Sequence, residues 1–135
     1  INNAAFDAID ADFSELTFAN ISIINAGNDC VDLSGGVYKI FTSSFVKCGD
    51  KGISVGEKSD VFLQKITLED ALIGIVAKDD STVTVDTAIL ENVKLCAAAY
   101  KKKQEYGGGL ISLKHINCVA DNFFQQKKSG ITFEK

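Results

Sequence analysis

The chain has 135 residues, 46% of them apolar, which suits a single domain over residues 1–135 with a continuous core. Its 18 carboxylates outnumber 14 basic residues, all of them lysine, and the lack of arginine argues against nucleic-acid binding, which leans on bidentate arginine contacts. No apolar run is long enough to cross a bilayer as a helix, so membrane insertion is not expected.

From the N-terminus, the first apolar-polar alternation is Ala8-Ile9-Asp10-Ala11-Asp12. It returns at Cys30-Val31-Asp32-Leu33-Ser34, Gly52-Ile53-Ser54-Val55-Gly56, Gly74-Ile75-Val76-Ala77-Lys78 and Cys96-Ala97-Ala98-Ala99-Tyr100, each 22 residues after the last. A fixed period of this size marks stacked equivalent units. Two more alternating stretches follow inside each period, at residues 37–41 and 43–46, then 60–63 and 66–68, then 82–85 and 88–90. They are rich in Val, Ile, Thr and Phe. Turn-forming clusters such as Ser34-Gly35-Gly36 and Gly49-Asp50 separate them. No segment has the length and 3.6 period of a helix.

Three strands per period, repeating in register, predict an all-β parallel β-helix, a solenoid of five to six coils with about 22 residues per coil. Ile9, Val31, Ile53, Ile75 and Ala97 form one inward ladder, and Ala11, Leu33, Val55, Ala77 and Ala99 a second. A slip of one residue would turn both ladders out to water. Residues 101–109, Lys-Lys-Lys-Gln-Glu-Tyr-Gly-Gly-Gly, interrupt the fifth coil. The next coil is expected to anchor at Phe124, an insertion of about five residues that projects as a loop beside the first sheet. Residues 131–133 read as a strand of an unfinished sixth coil. Neither end carries a cap, so the rest of a parent chain or a partner is expected to cover the open ends. The chain opens at Ile1 without a leader-like segment and is expected to be processed or cut from a larger protein.

Four cysteines, Cys30, Cys48, Cys96 and Cys118, show no CxxC spacing, so neither a zinc nor a redox site is expected. Cys30 and Cys96 share a column but stand three coils apart, roughly 14 Å at the usual strand spacing, beyond disulfide reach. The expectation is four buried free thiols acting as small hydrophobes, which leaves the compartment open.

Alternation turns Asp10, Asp32, Ser54, Val76 and Ala98 outward in one row of the first sheet, and Asp12, Ser34, Gly56, Lys78 and Tyr100 in the next. The flanking turns add Asp7, Asp29 and Lys51 on one side, and Glu57, Asp79 and Lys101 on the other. Equivalent carboxylates one coil apart lie about 4.8 Å from each other. Such pairs can shift one another's pKa and serve as acid and base, and Asp10, Asp12 and Asp32 can hold calcium. The same pattern also fits a solvated face on which lysines neutralise acids, Asp29 beside Lys51 and Asp79 beside Lys101.

Ala5-Phe6-Asp7, Asn28-Asp29-Cys30-Val31, Asp50-Lys51-Gly52 and Val76-Ala77-Lys78 sit on successive coils at a spacing that resembles the polygalacturonases, over residues 5–78. Those enzymes belong to the pectate lyase-like superfamily of right-handed parallel β-helices. The resemblance implies a right-handed coil, Asp7 and Asp29 as the acid/base pair, and Lys78 or Lys51 as the anchor for a sugar carboxylate. Asn28, Lys51 and Val76 stand where that pattern has Asp, His and Arg. Residues 27–29 and 49–59 also resemble β-helix segments of large bacterial surface or secreted proteins. His115, the one histidine, falls at a corner far from the first sheet and reads as structural. Tyr100 and Tyr106 flank the lysine run and suit an acidic sugar. The resulting expectation is a non-catalytic scaffold or carbohydrate-contacting module of a larger extracellular or cell-surface bacterial protein. Its contact residues are Asp10, Asp32, Lys51, Lys78, Tyr100, Lys101 and Tyr106, and calcium is its one candidate cofactor. The alternatives are a lyase or hydrolase acting on acidic polysaccharide, and a purely structural spacer or adhesin segment.

Overall fold

In the computed structural model, which describes residues 1–134, the chain forms twelve strands and, among the described residues, no helix. They are β1 (Asn2–Ala4), β2 (Ile9–Asp12), β3 (Glu15–Ala19), β4 (Ser22–Ala26), β5 (Val31–Ser34), β6 (Val37–Cys48), β7 (Lys51–Gly56), β8 (Asp60–Lys78), β9 (Thr82–Tyr100), β10 (Leu110–Cys118), β11 (Phe123–Gln125) and β12 (Gly130–Phe133). All pairings are parallel, and the strands stack into a β-solenoid of about six turns. The longest strands, β8 and β9, each run through three faces of a coil.

Register follows the apolar pattern. On the first sheet Ile9 pairs with Val31, Val31 with Ile53, Ile53 with Ile75, and Ile75 with Ala97. The second sheet stacks Leu16, Tyr38, Val61, Val83, Ile111 and Ile131. The third stacks Ile23, Phe45, Leu68, Leu90 and Cys118. These ladders meet in one continuous core, and nearly all their central members are fully buried. Buried side chains of this size contribute about 1.5–3 kcal/mol each, so the core rather than local propensity holds the coil. The buried Tyr38 hydroxyl donates to the Ser34 carbonyl at 2.9 Å, so its polar end is paired.

Corners recur as regularly as strands. Asn3, Asn25, Lys47, Asp70 and Asn92 each bend the third sheet in the left-handed region, with φ between 52° and 69°. Asn and Asp tolerate that conformation best, and here their side chains also pair coil to coil: Asn25 donates to Asn3 at 2.9 Å and Asn92 donates to Asp70. At the tight entrance to the first sheet a Cβ on Gly52 would lie 2.7 Å from the Gly74 carbonyl oxygen and 1.8 Å from Leu68 Cδ1, so a side chain there would force the next coil to shift.

Two expectations are corrected. The cysteines are not free thiols: Cys30 bonds Cys48, and Cys96 bonds Cys118. Each bridge crosses a corner from the start of a first-sheet strand to a third-sheet strand, a contact that distances along a single column do not reveal. The coil after the insertion anchors at Phe123, not Phe124, because Phe123 pairs with Ala97. The loop delays the return of β10 to the stack by six residues, as Leu110 pairs with Thr82, the following corner recovers two of them before Phe123, and Phe124 turns outward in the row of Ala98.

Candidate functional site

The first sheet and the residue 101–109 loop together form a groove of about 270 Å3. Asp10, Asp12 and Asp32 line one flank. Lys78, Lys102 and Lys103 line the other, with Ser34, Glu57 and Asp79 between them. The carboxylates come from β2 and β5, whose outward residues stack in register. Lys78 comes from the end of β8, two coils further on. Its aliphatic stem lies along Gly56, where a Cβ would sit 3.1–3.8 Å from it, and its ammonium donates to Ser54 Oγ at 2.7 Å. Ser54, Val76 and Ala98, outward by alternation, are fully covered, so the middle of that row offers no contact surface.

Electrostatics differ along the groove. Burial pushes the Asp32 carboxyl up to about 6, against the pull of the Lys78 ammonium, with Asp29, Asp7 and Asp10 adding to the rise. Burial lowers Lys78, and Asp32 partly restores it. Asp10 is raised by burial and then by Asp12 and Asp7. Oxygens of Asp7, Asp10 and Asp32 lie within 4.8 Å of one another, so this trio is the cluster that could hold a cation. Asp12, read from sequence as a third ligand beside Asp10 and Asp32, instead accepts a hydrogen bond from Ser34 Oγ.

Asp7 and Asp29 sit at the corner before the sheet and carry backbone. Asp7 Oδ1 accepts the Asp29 N–H at 2.9 Å and the Asn28 side-chain amide at 2.8 Å. Asp29 Oδ1 accepts the Lys51 N–H at 3.0 Å, and Asp29 is 4% exposed. Burial raises Asp29, and the bond from Lys51 opposes the rise. The Lys51 ammonium turns to Asp50 at 2.8 Å rather than to Asp29. Tyr100 is half-buried, and burial raises its hydroxyl with the nearby Lys51 opposing.

The loop is tied down by a residue that sequence reasoning places beside Lys101. Asp79 is fully buried, and its Oδ1 accepts the backbone N–H groups of Lys102 and Lys103, each at 2.8 Å. Its Oδ2 has no partner among the described residues. Lys103 also forms an ion pair with Glu57 across the groove. Lys101 and Tyr106 face away from this groove, into a separate crevice with Gln126, Lys127 and Lys128. The sequence-read contact residues therefore divide: Asp10, Asp32 and Lys78 converge on one groove, Lys101 and Tyr106 on another, and Lys51 and Tyr100 line neither. Glu57, Asp79, Lys102 and Lys103 join the first groove. The first two stand with Lys101 in the row that the flanking turns add beside the first sheet, and that row is the signal that could have found them.

Comparison of the chain with protein-family profiles, curated proteins and solved structures finds no match.

Proposed function

We propose that the chain is a non-catalytic, carbohydrate-contacting β-solenoid module of an extracellular or cell-surface protein, bacterial on the resemblance of its coils. The observation that carries this reading is the groove itself. Carboxylate acceptors on Asp10, Asp12 and Asp32 face ammonium donors on Lys78, Lys102 and Lys103 across a space suited to one or two sugar rings. A polyhydroxylated ligand needs both acceptors and donors, whereas a purely anionic or cationic one would meet repulsion from one flank. The two disulfides support an oxidising, extracellular setting. Asp7 and Asp29 as backbone acceptors fit a structural role better than a catalytic one.

One observation favours the enzymatic alternative, a lyase or hydrolase: Asp32 and Lys78 share the groove with pKa values displaced toward each other's range, the pattern of an acid and a base in one site. An inverting hydrolase separates its carboxyls by about 6.5–9.5 Å to admit water, and the Asp7, Asp10 and Asp32 oxygens are closer than that. Calcium fits the trio only in part: three carboxylates supply fewer than the six to eight oxygens it takes, and Asp7 Oδ1 is already an acceptor of two hydrogen bonds.

A glycan array on the purified chain, with and without calcium, tests the proposal. Binding that is lost in Asp10→Asn/Lys78→Gln without product formation is the expected result. New reducing ends or unsaturated products would move the assignment to the enzyme. No binding under either condition would leave only the spacer.

A further inference from the structure

We infer that the sugar selected by the first-sheet groove is zwitterionic, with a free ammonium and an acidic group carried within one or two rings. The inference rests on the glycan reading and narrows it to one class of ligand. Three observations carry it.

The first is where like charges gather. On one flank, oxygens of Asp7, Asp10 and Asp32 lie within 4.8 Å of one another. None of the three has an ion-pair partner among the described residues, because the lysines that form pairs go to Asp50, Glu57 and Asp86. Carboxylates held this close without a cation repel one another, and a ligand ammonium set among them relieves the repulsion. Asp7 already accepts two hydrogen bonds, so Asp10 and Asp32 are the pair left for the ligand.

The second is the opposite flank. Burial lowers Lys78, and the ammonium groups of Lys51 and Lys102 lower it further. Lys78 donates to Ser54 Oγ at 2.7 Å, and neither it nor Lys102 contacts a carboxylate among the described residues. Lys103, the third lysine of this flank, is the one that Glu57 neutralises. Two ammonium groups that share a groove without a carboxylate between them are a seat for one anionic group. The flanks do not cancel each other, because the stem of Lys78 is laid along Gly56 and its head is turned to Ser54 instead of Asp32.

The third is a buried acceptor. Asp79 lines the groove and is fully buried, and its Oδ2 has no hydrogen-bond partner among the described residues. Leaving a buried carboxylate oxygen without a donor is costly, which points to a donor that arrives with the ligand. A sugar hydroxyl or ammonium is such a donor. A purely cationic chain answers the first flank and is repelled by the second, and a uronate chain does the reverse. An amino sugar joined to an acidic sugar answers both flanks and brings hydroxyls as well.

Isothermal titration calorimetry on the 135-residue chain at low salt tests this with tetrasaccharides. One alternates glucuronate with glucosamine whose amines are free, one is the same compound N-acetylated, and one is glucosamine throughout. The expected result is binding of the zwitterion at least about tenfold tighter than of either other compound. Asp10→Asn/Asp32→Asn is expected to erase the advantage over the N-acetylated compound. Lys78→Gln/Lys102→Gln is expected to erase the advantage over the glucosamine chain. Both variants are expected to keep the circular dichroism of the wild type. Wild-type binding of another compound as tight as that of the zwitterion, or of neutral glycans alone, would overturn the inference and leave the glycan reading standing. Variants that keep both preferences would overturn it too. No binding of these compounds or of any glycan on the array would remove the glycan reading itself.

Discussion

Burial holds the Asp32 carboxyl at about 6 although the Lys78 ammonium opposes the rise, so the ionised side chain costs stability rather than adding it. The folded state keeps this proton up to about pH 6, while the unfolded chain releases it near 3.8. Between those values the folded state binds more protons, so stability falls as pH rises through the window, and the cost is complete at about pH 7. A rise from 3.8 to about 6 corresponds to about 3 kcal/mol, but Asp32 is only half-buried, and screening by solvent reduces this to about 1 kcal/mol. Asp32→Asn is therefore expected to raise the urea-unfolding free energy by about 1 kcal/mol at about pH 7 and to change it little at about pH 4. An equal gain at both pH values would assign the effect to packing instead of charge. Should this variant also lose glycan binding, the groove would join those sites that keep a strained charge for function.

At the scale of elements, the loop over residues 101–109 has almost no apolar anchorage, since Lys101–Glu105 are all exposed. Its order rests on Asp79, whose buried Oδ1 takes two of its backbone N–H groups, and on the Lys103–Glu57 pair at the surface. Two hydrogen bonds to one buried acceptor outweigh an exposed ion pair, so Asp79 is the main tie. Asp79 has φ 55°, which makes Gly and Asn the least strained replacements. Asp79→Gly is expected to open the loop by about 2 kcal/mol, some thirtyfold faster tryptic cleavage after Lys101–Lys103, while Asp79→Asn, which keeps an acceptor, stays near wild type. Mass spectrometry of the first cleavage products checks this, and equal rates for the two variants would remove Asp79 from the role. The limits of sequence reading show in the same elements. The period of Ile9, Val31, Ile53, Ile75 and Ala97 is enough to place every first-sheet strand up to the insertion, because an inward ladder demands one apolar residue per coil at a constant step. The same column logic sets Asp79 against Lys101 and misses Lys102 and Lys103, since an insertion shifts which backbone groups return to the stack. It also puts Lys101 and Tyr106 on the first-sheet face, whereas the loop carries them to its far side.

Across the whole molecule, a solenoid coil touches only its neighbours, so stability is a sum along one axis and the ends fray first. The disulfides act on that axis at two places. Cys30–Cys48 closes 18 residues near the head and Cys96–Cys118 closes 22 around the interrupted coil. Each loop closure is worth about 3 kcal/mol through the unfolded chain. Column distances rule out Cys30 with Cys96 but are silent on these pairs, because a cross-corner contact exists only once the coil closes. The bridges differ in what surrounds them. Cys30 and Cys48 lie among fully buried Val31, Ile53 and Phe45, whereas Cys96–Cys118 borders a last coil that contributes Phe123 and Ile131 only partly to the core. Removing the second bridge should thus uncouple the tail, not the whole stack. In Cys96→Ala/Cys118→Ala the amides of Ile111 and Leu113 are expected to exchange at least about a hundredfold faster while those of Ile53 and Val55 keep their protection. Cys30→Ala/Cys48→Ala is expected to lower protection at both places, because the coils it joins carry the core on which the tail is built. Uniform loss in both variants would mean that the coils unfold as one cooperative unit, with no independent tail.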